Sequence, residues 1–167
     1  MGCDGKTHSR FPALNLVVMF KDIMEHYLNI KSIWEDDDLF EIRVTSSNSR
    51  FSGQADCYTH RKHMESLASA IDGFPTKMGQ EVTFTTGERD DLSYFTISLK
   101  CIDHSGHVIA RVKIAHIVTY SNAPQEKDIA EFQFGVEASA IDMFVRNIKR
   151  LATAQIGEVN AILNGKT

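Results

Sequence analysis

The fold is decided by the stretch from Leu92 to Tyr120, which reads LSYFTISLKCIDHSGHVIARVKIAHIVTY. Apolar and polar residues alternate there on both sides of a polar centre, which is the period-two pattern of strands with one buried face. The alternating apolar residues are Phe95, Ile97, Leu99 and Cys101 before the centre, and Val108, Ala110, Val112 and Ile114 after it. Gly106 lies in the centre, where a turn needs a positive φ. The stretch therefore predicts one long β-hairpin.

The length of the hairpin loop decides which side chains share a face, because a slip of one residue turns the apolar set outward. A three-residue loop would place Leu99 opposite Arg111 and mix the two faces. A loop of two residues at Ser105-Gly106, or of four around them, pairs Leu99 with Val112 and keeps the apolar set together. We therefore predict an even loop.

With an even loop, the basic side chains of the hairpin share its outer face. They are Lys100, Arg111 and Lys113. Such a patch on an acidic protein could bind an acidic partner. It could equally be neutralised by Glu81 or Glu131 on adjacent strands.

Composition limits the class of protein. The chain has 167 residues, 43% of them hydrophobic, and a net charge of −4. A domain of this size buries roughly 70% of the surface of its unfolded chain, so it needs neither a disulfide nor a metal to fold. The mild acidity disfavours a nucleic-acid partner. No apolar run approaches the roughly 18 residues of a membrane span. The run Leu14 to Phe20 follows Arg10, but it contains Asn15, is short and lacks the small-residue cleavage site of a signal peptide. We expect neither a nucleic-acid nor a membrane partner.

The three cysteines, Cys3, Cys57 and Cys101, are an odd number without CxxC spacing. They suggest neither a disulfide framework nor a zinc module. Cys57 and Cys101 fall within strand patterns, where a buried free thiol behaves as a small hydrophobe. We therefore predict a cytoplasmic protein with no metal and no cofactor.

Residues 1–34 are predicted to form an N-terminal helical appendage. Apolar residues recur there at helical spacing, at Leu16, Phe20, Ile23, Met24 and Tyr27. Pro12 suits the first turn of such a helix. The acidic run Glu35 to Asp38 follows and is interpreted as a solvated connector.

Residues 35–167 are predicted to form the α+β domain. Alternating patterns predict strands at 40–45, 50–58, 82–86 and 132–136, in addition to the hairpin. Helices are predicted from His60 to Asp72 and from Ser139, where Ser139 and Asp142 resemble a capping box. Its apolar stripe extends through Ile156, Val159 and Leu163, so this helix can continue past Gly157. The predicted fold is a largely antiparallel sheet of about six strands with helices packed on one face.

No motif with strong mechanistic content occurs in the sequence: GxGxxG, Walker, HExxH, GxSxG and CxxC are all absent. Cys57, His60 and His63 have a spacing that could hold zinc. The alternative is an exposed polar turn of helix beside a structural thiol. Since no second ligand cluster appears in the sequence, we predict no metal here.

Three further histidines are candidates for chemistry or binding. His104 and His107 flank the hairpin turn, and Asp103 could orient either of them for catalysis, although turn residues are also simply polar. The predicted register places His116 near Phe95 on the apolar side. It would be a hydrogen-bonded core histidine or a residue of a ligand pocket. We assign no catalytic residue.

Three short motifs carry a resemblance to known proteins: Phe51-Ser52-Gly53, Gly73-Phe74-Pro75 at the end of a helix, and Gly106-His107-Val108 in a hairpin. Between Leu39 and Leu151 the chain resembles small uncharacterised bacterial proteins, some considered relatives of toxin-immunity proteins. The resemblance implies a non-catalytic, protein-binding role. It transfers no functional residue.

Two functions are compatible with these observations. The first is a non-enzymatic interaction protein that self-associates through its helices, with a protein partner on its sheet face or hairpin. The second is a small-molecule-binding protein or enzyme with a pocket between sheet and helices around His116. A filled interface between sheet and helices favours the first, and a pocket of several hundred Å³ with converging polar groups favours the second.

Overall fold

The computed structural model describes residues 26–37, 39–86, 93–118 and 126–166. The helices and strands of this part of the chain are β1 (His26–Glu35), β2 (Phe40–Asn48), β3 (Ser52–Thr59), α1 (Arg61–Ile71), β4 (Glu81–Thr86), β5 (Tyr94–Cys101), β6 (Val108–Val118), β7 (Glu126–Val136), α2 (Ala138–Leu151) and β8 (Asn160–Asn164). Neither of these helices is long and apolar enough to cross a membrane. The predicted N-terminal helix lies outside the described residues up to residue 25.

The described strands form two antiparallel sheets of four strands each. The first sheet has the order β3-β2-β1-β8, and the second has the order β4-β5-β6-β7. The fold is therefore α+β with antiparallel sheets, as predicted. The prediction of one sheet with about six strands was imprecise, because the first and last described strands had been interpreted as helix.

The first strand corrects the predicted domain boundary at residue 34. Residues 26–34 belong to β1, which pairs with β2 on one side and β8 on the other. Leu28, Ile30 and Ser32 are buried on its inner face, which is the period-two pattern of a strand. These residues are part of the α+β domain. An appendage formed by residues 1–25 stays a prediction that falls outside the described residues.

The C-terminal segment also differs from its prediction. Helix α2 ends at Leu151 instead of continuing through the apolar stripe, and Gly157 has a φ of +76° in the turn that follows. The next apolar side chains, Val159, Ala161 and Leu163, are buried at alternate positions. Ala161 and Leu163 belong to β8, and Val159 directly precedes it. The predicted capping box is absent, because the helix begins after Glu137 and Ser139 lies inside it.

The hairpin has the faces that its sequence predicts. Phe95 and Val112 are 0% exposed and Leu99 is 1% exposed, so the apolar set lies in the core. Leu99 pairs with Ala110 instead of Val112, which is a shift of two residues. A shift of two residues keeps every side chain on its predicted face.

The turn of the hairpin explains the shifted register. Its loop has four residues, 103–106, between the paired Ile102 and His107. Oδ1 of Asp103 accepts hydrogen bonds from the backbone N–H groups of Ser105 (2.9 Å) and His107 (3.1 Å). Asp103 therefore belongs to the turn, and the even loop is confirmed one residue earlier than predicted.

Both sheets and both helices share one hydrophobic core. The helices contribute Met64, Leu67, Ala68 and Ile71 from α1, and Ile141, Phe144, Val145, Ile148 and Leu151 from α2. Helix α2 contacts α1 and β8, while β3 crosses the inner face of the second sheet at β5 and β6. A Cβ on Gly53 would lie 2.9 Å from Cβ of Ala130, so glycine permits this close approach of the two sheets.

The end of β8 joins the two sheets. The N–H of Gly165 donates to the carbonyl oxygen of His26 in the first sheet (2.6 Å), and the N–H of Lys166 donates to the carbonyl oxygen of Gly135 in the second (2.8 Å). Gly165 also forms a β-bridge with Val136. A Cβ at Gly165 would lie 2.6 Å from Cβ of His26. This junction therefore requires glycine.

Arg61 fixes the β1–β2 hairpin to the end of α2. Its guanidinium donates to both carboxylate oxygens of Glu35 and to the carbonyl oxygens of Leu151 (3.4 Å) and Ala152 (3.0 Å). It also lies 4.7 Å from the ring centroid of Phe40. All three nitrogens of this guanidinium thus donate to groups of the fold.

The outer face of the first sheet carries an ion pair whose stability contribution depends on pH. Nε and Nη2 of Arg43 each lie 2.7 Å from an oxygen of Asp56 on the adjacent strand. The hydrogen bonds from Arg43 lower the pKa of Asp56, although burial opposes them. A carboxylate whose pKa is lower in the folded than in the unfolded protein stabilises the fold at pH values above the unfolded-state pKa. This contribution is lost as the pH falls through the folded-state pKa.

We expect Asp56→Asn to lower the melting temperature at about pH 7, with a deficit that shrinks as the pH falls below about 4. The reason is that the wild-type protein loses the same ion pair in acid. Thermal unfolding by circular dichroism over this pH range measures the effect. Asp142→Asn, at an exposed position of α2, is the control and should show no such convergence. A deficit that is independent of pH would contradict the prediction.

Candidate functional site

The predicted basic patch lies on the outer face of the second sheet. The strand register places Arg111 between Ser98 on one side and Gln133 on the other. We call this surface the polar face, and its residues are Glu81, Thr83, Thr85, Thr96, Ser98, Lys100, Arg111, Lys113, Glu131 and Gln133. Its short side chains, Thr83, Thr85, Thr96 and Ser98, lie on β4 and β5, and the register places the long side chain of Arg111 near its centre.

The three predicted cations of the polar face have different surroundings. Lys100 lies 3.8 Å from Glu81, and Lys113 lies 3.5 Å from Glu131, so the two glutamates that could neutralise the patch each pair with one lysine. Both ion pairs are long and largely exposed, which makes them weak. Arg111 is exposed and has no ion-pair partner among the described residues. It is therefore the cation that remains available for a partner.

Two shallow depressions meet at the centre of the polar face. One, of about 210 Å³, is lined by Tyr94, Thr96, Ser98, Arg111, Lys113 and Glu131. The other, of about 350 Å³, lies on the opposite side of Ser98 and Arg111 and extends to Ile102 and Ile109. Tyr94 is only 8% exposed, and Nζ of Lys127 lies 5.8 Å from its ring centroid. A largely buried aromatic ring thus lines the same depression as Arg111.

The hairpin histidines lie at an exposed turn. Nδ1 of His107 is 2.5 Å from Oδ2 of Asp103, and this contact is the largest cause of the lowered pKa of Asp103. The predicted pairing of an Asp with a turn histidine is present, and it closes the four-residue loop. His104 is exposed in the same turn. The hydrogen bonds of Asp103 hold the turn together. The thiol of Cys101 also donates to the Asp103 carbonyl oxygen (3.2 Å), but this thiol is buried in the core, away from the exposed histidines.

The position of His116 corrects its prediction as a core histidine. It is exposed, and its Nδ1 lies 3.4 Å from Oγ of Ser93. The inner-face alternation of β6 continues to His116, but β6 extends there beyond the part of the sheet that β3 covers. His116 lines a depression of about 230 Å³ beside Asp128 and the backbone of β3. This depression lies between strands, whereas the predicted pocket was between sheet and helices.

The possible zinc ligands have other roles in the structure. Cys57 is 0% exposed, and burial raises the pKa of its thiol to about 12, which disfavours the thiolate that binds zinc. Nδ1 of His63 is 3.2 Å from Oγ1 of Thr59, and its ring centroid is 4.7 Å from that of Phe84. Burial is the largest cause of the lowered pKa of His63. Within the described residues, no group of three or more potential ligands converges.

Comparison with known proteins gives no further guide to the site. No protein-family model matches the chain, and neither a curated protein nor a solved structure matches it. The candidate site therefore depends on its geometry alone.

A second group of exposed side chains was not predicted from the sequence. Trp34 and Tyr58 had been assigned to the end of a helix and to an ordinary strand, yet they are 44% and 39% exposed on the first sheet. The alternation of Leu28 and Ile30 indicates a strand, but it would place Trp34 on the inner face. A β-bulge between Ser32 and Trp34 shifts the register and brings Trp34 opposite Glu41, and only the structure shows it.

Proposed function

We propose that the protein is a non-enzymatic interaction module that binds an acidic segment of another protein on the polar face. The observation that carries the proposal is Arg111, which is exposed at the centre of this face without an ion-pair partner in the described residues. An arginine side chain can hold a carboxylate through two parallel hydrogen bonds. Gln133 flanks it and can donate a further hydrogen bond, while the hydroxyl of Ser98 on the other side donates to Glu81 (2.8 Å).

The alternative function, a small-molecule site around His116, has less support. It requires a pocket between sheet and helices, whereas that region holds the shared core of the described residues. His116 is exposed beside Asp128, in a depression of about 230 Å³ at the end of the strands. Small-molecule sites usually enclose most of their ligand. We therefore favour a partner that covers a sheet surface.

Self-association through the helices stays a prediction. The apolar faces of α1 and α2 are buried in the core, and Met143 is the large apolar side chain that the described helices leave exposed, at 55%. Light scattering of the purified protein measures the oligomeric state directly.

The proposed function is tested with peptides selected on the immobilised protein from a random library displayed on phage. We expect the selected peptides to be rich in aspartate and glutamate, and their binding to weaken with added salt. Arg111→Glu should weaken binding at least about tenfold, because it removes the cation and adds a like charge. Fluorescence anisotropy of labelled peptides measures the affinities.

Arg146→Glu is the matched control for this experiment. Arg146 is an exposed arginine on α2, away from the polar face, so its reversal changes the net charge equally. Peptides that bind Arg111→Glu and the wild-type protein equally well would contradict the proposed site.

A further inference from the structure

Exposed apolar side chains gather at one end of the first sheet. Trp34 pairs with Glu41, and Glu41 pairs with Tyr58, so the three side chains form one row across three strands. Residues directly opposite in an antiparallel sheet point to the same face. Their neighbours Ile42 and Cys57 are buried on the inner face, so the row lies on the outer face.

One further apolar residue lies next to this row. Leu39, 38% exposed, lies in the turn between β1 and β2, where its N–H donates to the Asp36 carboxylate. The end of the sheet thus presents Trp34, Leu39 and Tyr58 together, where isolated large apolar side chains are the norm.

The charges around this end are mostly negative. Its carboxylates are Glu35, Asp36, Asp37 and Glu41. Two nearby cations are engaged by the fold, since Arg61 holds Glu35 and the end of α2, and Arg43 holds Asp56. Lys31 lies in the next row, opposite Arg43. The side chain of Glu41 has no hydrogen bond or ion pair within the described residues. Burial and the charge of Asp56 raise its pKa, although the charge of Arg43 opposes them. A cation bound beside Glu41 would counteract this rise.

Trp34, Leu39, Glu41 and Tyr58 together define what we call the aromatic–acidic surface. Tryptophan and tyrosine are enriched among the residues that dominate binding energy at protein interfaces. Their ring faces attract cations, and a carboxylate between the two rings adds a charge partner. Both properties select for the same chemistry, a cationic side chain with apolar neighbours.

We propose that the aromatic–acidic surface is a second docking site, which binds a partner protein through a segment that combines arginine or lysine with apolar residues. This site lies on the other sheet from the polar face and has the opposite charge. It therefore goes beyond the proposed function, and either site can fail without the other.

The charge of the surface can be tested without a partner, because Trp34 is the only tryptophan of the chain. We expect its fluorescence to be quenched more strongly by caesium ions than by iodide, since the surrounding carboxylates attract cations and repel anions. Glu41→Lys should reduce or reverse this preference. Equal or stronger quenching by iodide in the wild-type protein would overturn the proposal.

Binding is tested with peptides from the same type of phage-displayed random library. We expect a class of peptides that combines arginine or lysine with apolar residues and that shifts the emission of Trp34. Trp34→Ser and Glu41→Lys should each weaken their binding at least about tenfold, as measured by anisotropy of the labelled peptides. Arg111→Glu should leave their binding unchanged, which separates this site from the polar face.

Phe51→Ser is the matched control, because Phe51 is 63% exposed at the β2–β3 turn and lies outside the aromatic–acidic surface. Circular dichroism checks that Trp34→Ser is folded, and Glu41→Lys provides the second variant if it is not. Selected peptides that bind both variants as tightly as the wild-type protein would overturn the proposal. So would a library that gives no peptide able to shift the emission of Trp34.

Discussion

Replacing Phe144 with alanine is expected to lower the free energy of unfolding by about 3–5 kcal/mol. Phe144 is 0% exposed on the inner face of α2, in the core that both helices share with both sheets. Alanine would leave a cavity that the close-packed core around α2 cannot collapse to fill. Urea unfolding followed by circular dichroism measures the loss, and a second trace from Trp34 fluorescence tests whether the domain unfolds as one unit.

Met143→Ala is the matched control for this prediction. Met143 precedes Phe144 on the same helix but is 55% exposed, so its replacement should change the free energy of unfolding by less than about 0.5 kcal/mol. Similar losses for the two variants would show that α2 does not pack on the core as described.

Gly165→Ala is expected to lower the free energy of unfolding by about 1–3 kcal/mol. The added methyl group would lie 2.6 Å from Cβ of His26, 2.7 Å from Cδ2 of Phe134 and 3.0 Å from the His26 carbonyl oxygen. That carbonyl accepts the hydrogen bond from the Gly165 N–H, so the backbone cannot move away without loss of the junction between the sheets. Urea unfolding again measures the effect.

Gly135→Ala is the control for the junction. The carbonyl oxygen of Gly135 accepts the N–H of Lys166, the residue after Gly165, at the same junction. A Cβ on Gly135 would meet only the flexible side chain of Lys166, at 3.8 and 3.9 Å. Its replacement should therefore be nearly neutral. A neutral effect of Gly165→Ala as well would mean that the two sheets do not meet this closely.

The hairpin shows how much a sequence pattern can predict. Alternation placed Phe95, Leu99 and Val112 in the core correctly, because a side chain changes face at every residue. It could not choose between registers that differ by two residues, since these bury the same faces. The choice depends on the carboxylate of Asp103, which accepts two backbone hydrogen bonds and so begins the turn one residue earlier.

The two ends of the domain were misinterpreted for a different reason. Ile156, Val159 and Leu163 have spacings of three and four residues that suit a helix, yet Val159 and Leu163 also suit a strand when Ala161 is included. Only the pairing of β8 with β1 favours the strand. Ile30 and Ala161 are 131 positions apart in the sequence but adjacent in the sheet. Local patterns carry no information about such a distant partner.

The candidate sites were predicted unequally. The basic patch follows from the hairpin faces, so Lys100, Arg111 and Lys113 could be placed on one surface from the sequence. The positions of Glu81 and Glu131 on neighbouring strands decide which of these cations lacks an ion-pair partner. Only the structure shows that they pair with the two lysines. The row of Trp34 and Tyr58 was missed because it exists only when β1 is a strand.

The pairing of β1 with β8 has a consequence for synthesis on the ribosome. The first sheet lacks an edge strand until residues 160–164 have emerged, although its other three strands lie within residues 26–59. Contacts between residues so far apart in sequence are slow to form. One side of β1 in the nascent chain therefore stays unpaired until β8 has been translated and has left the ribosome.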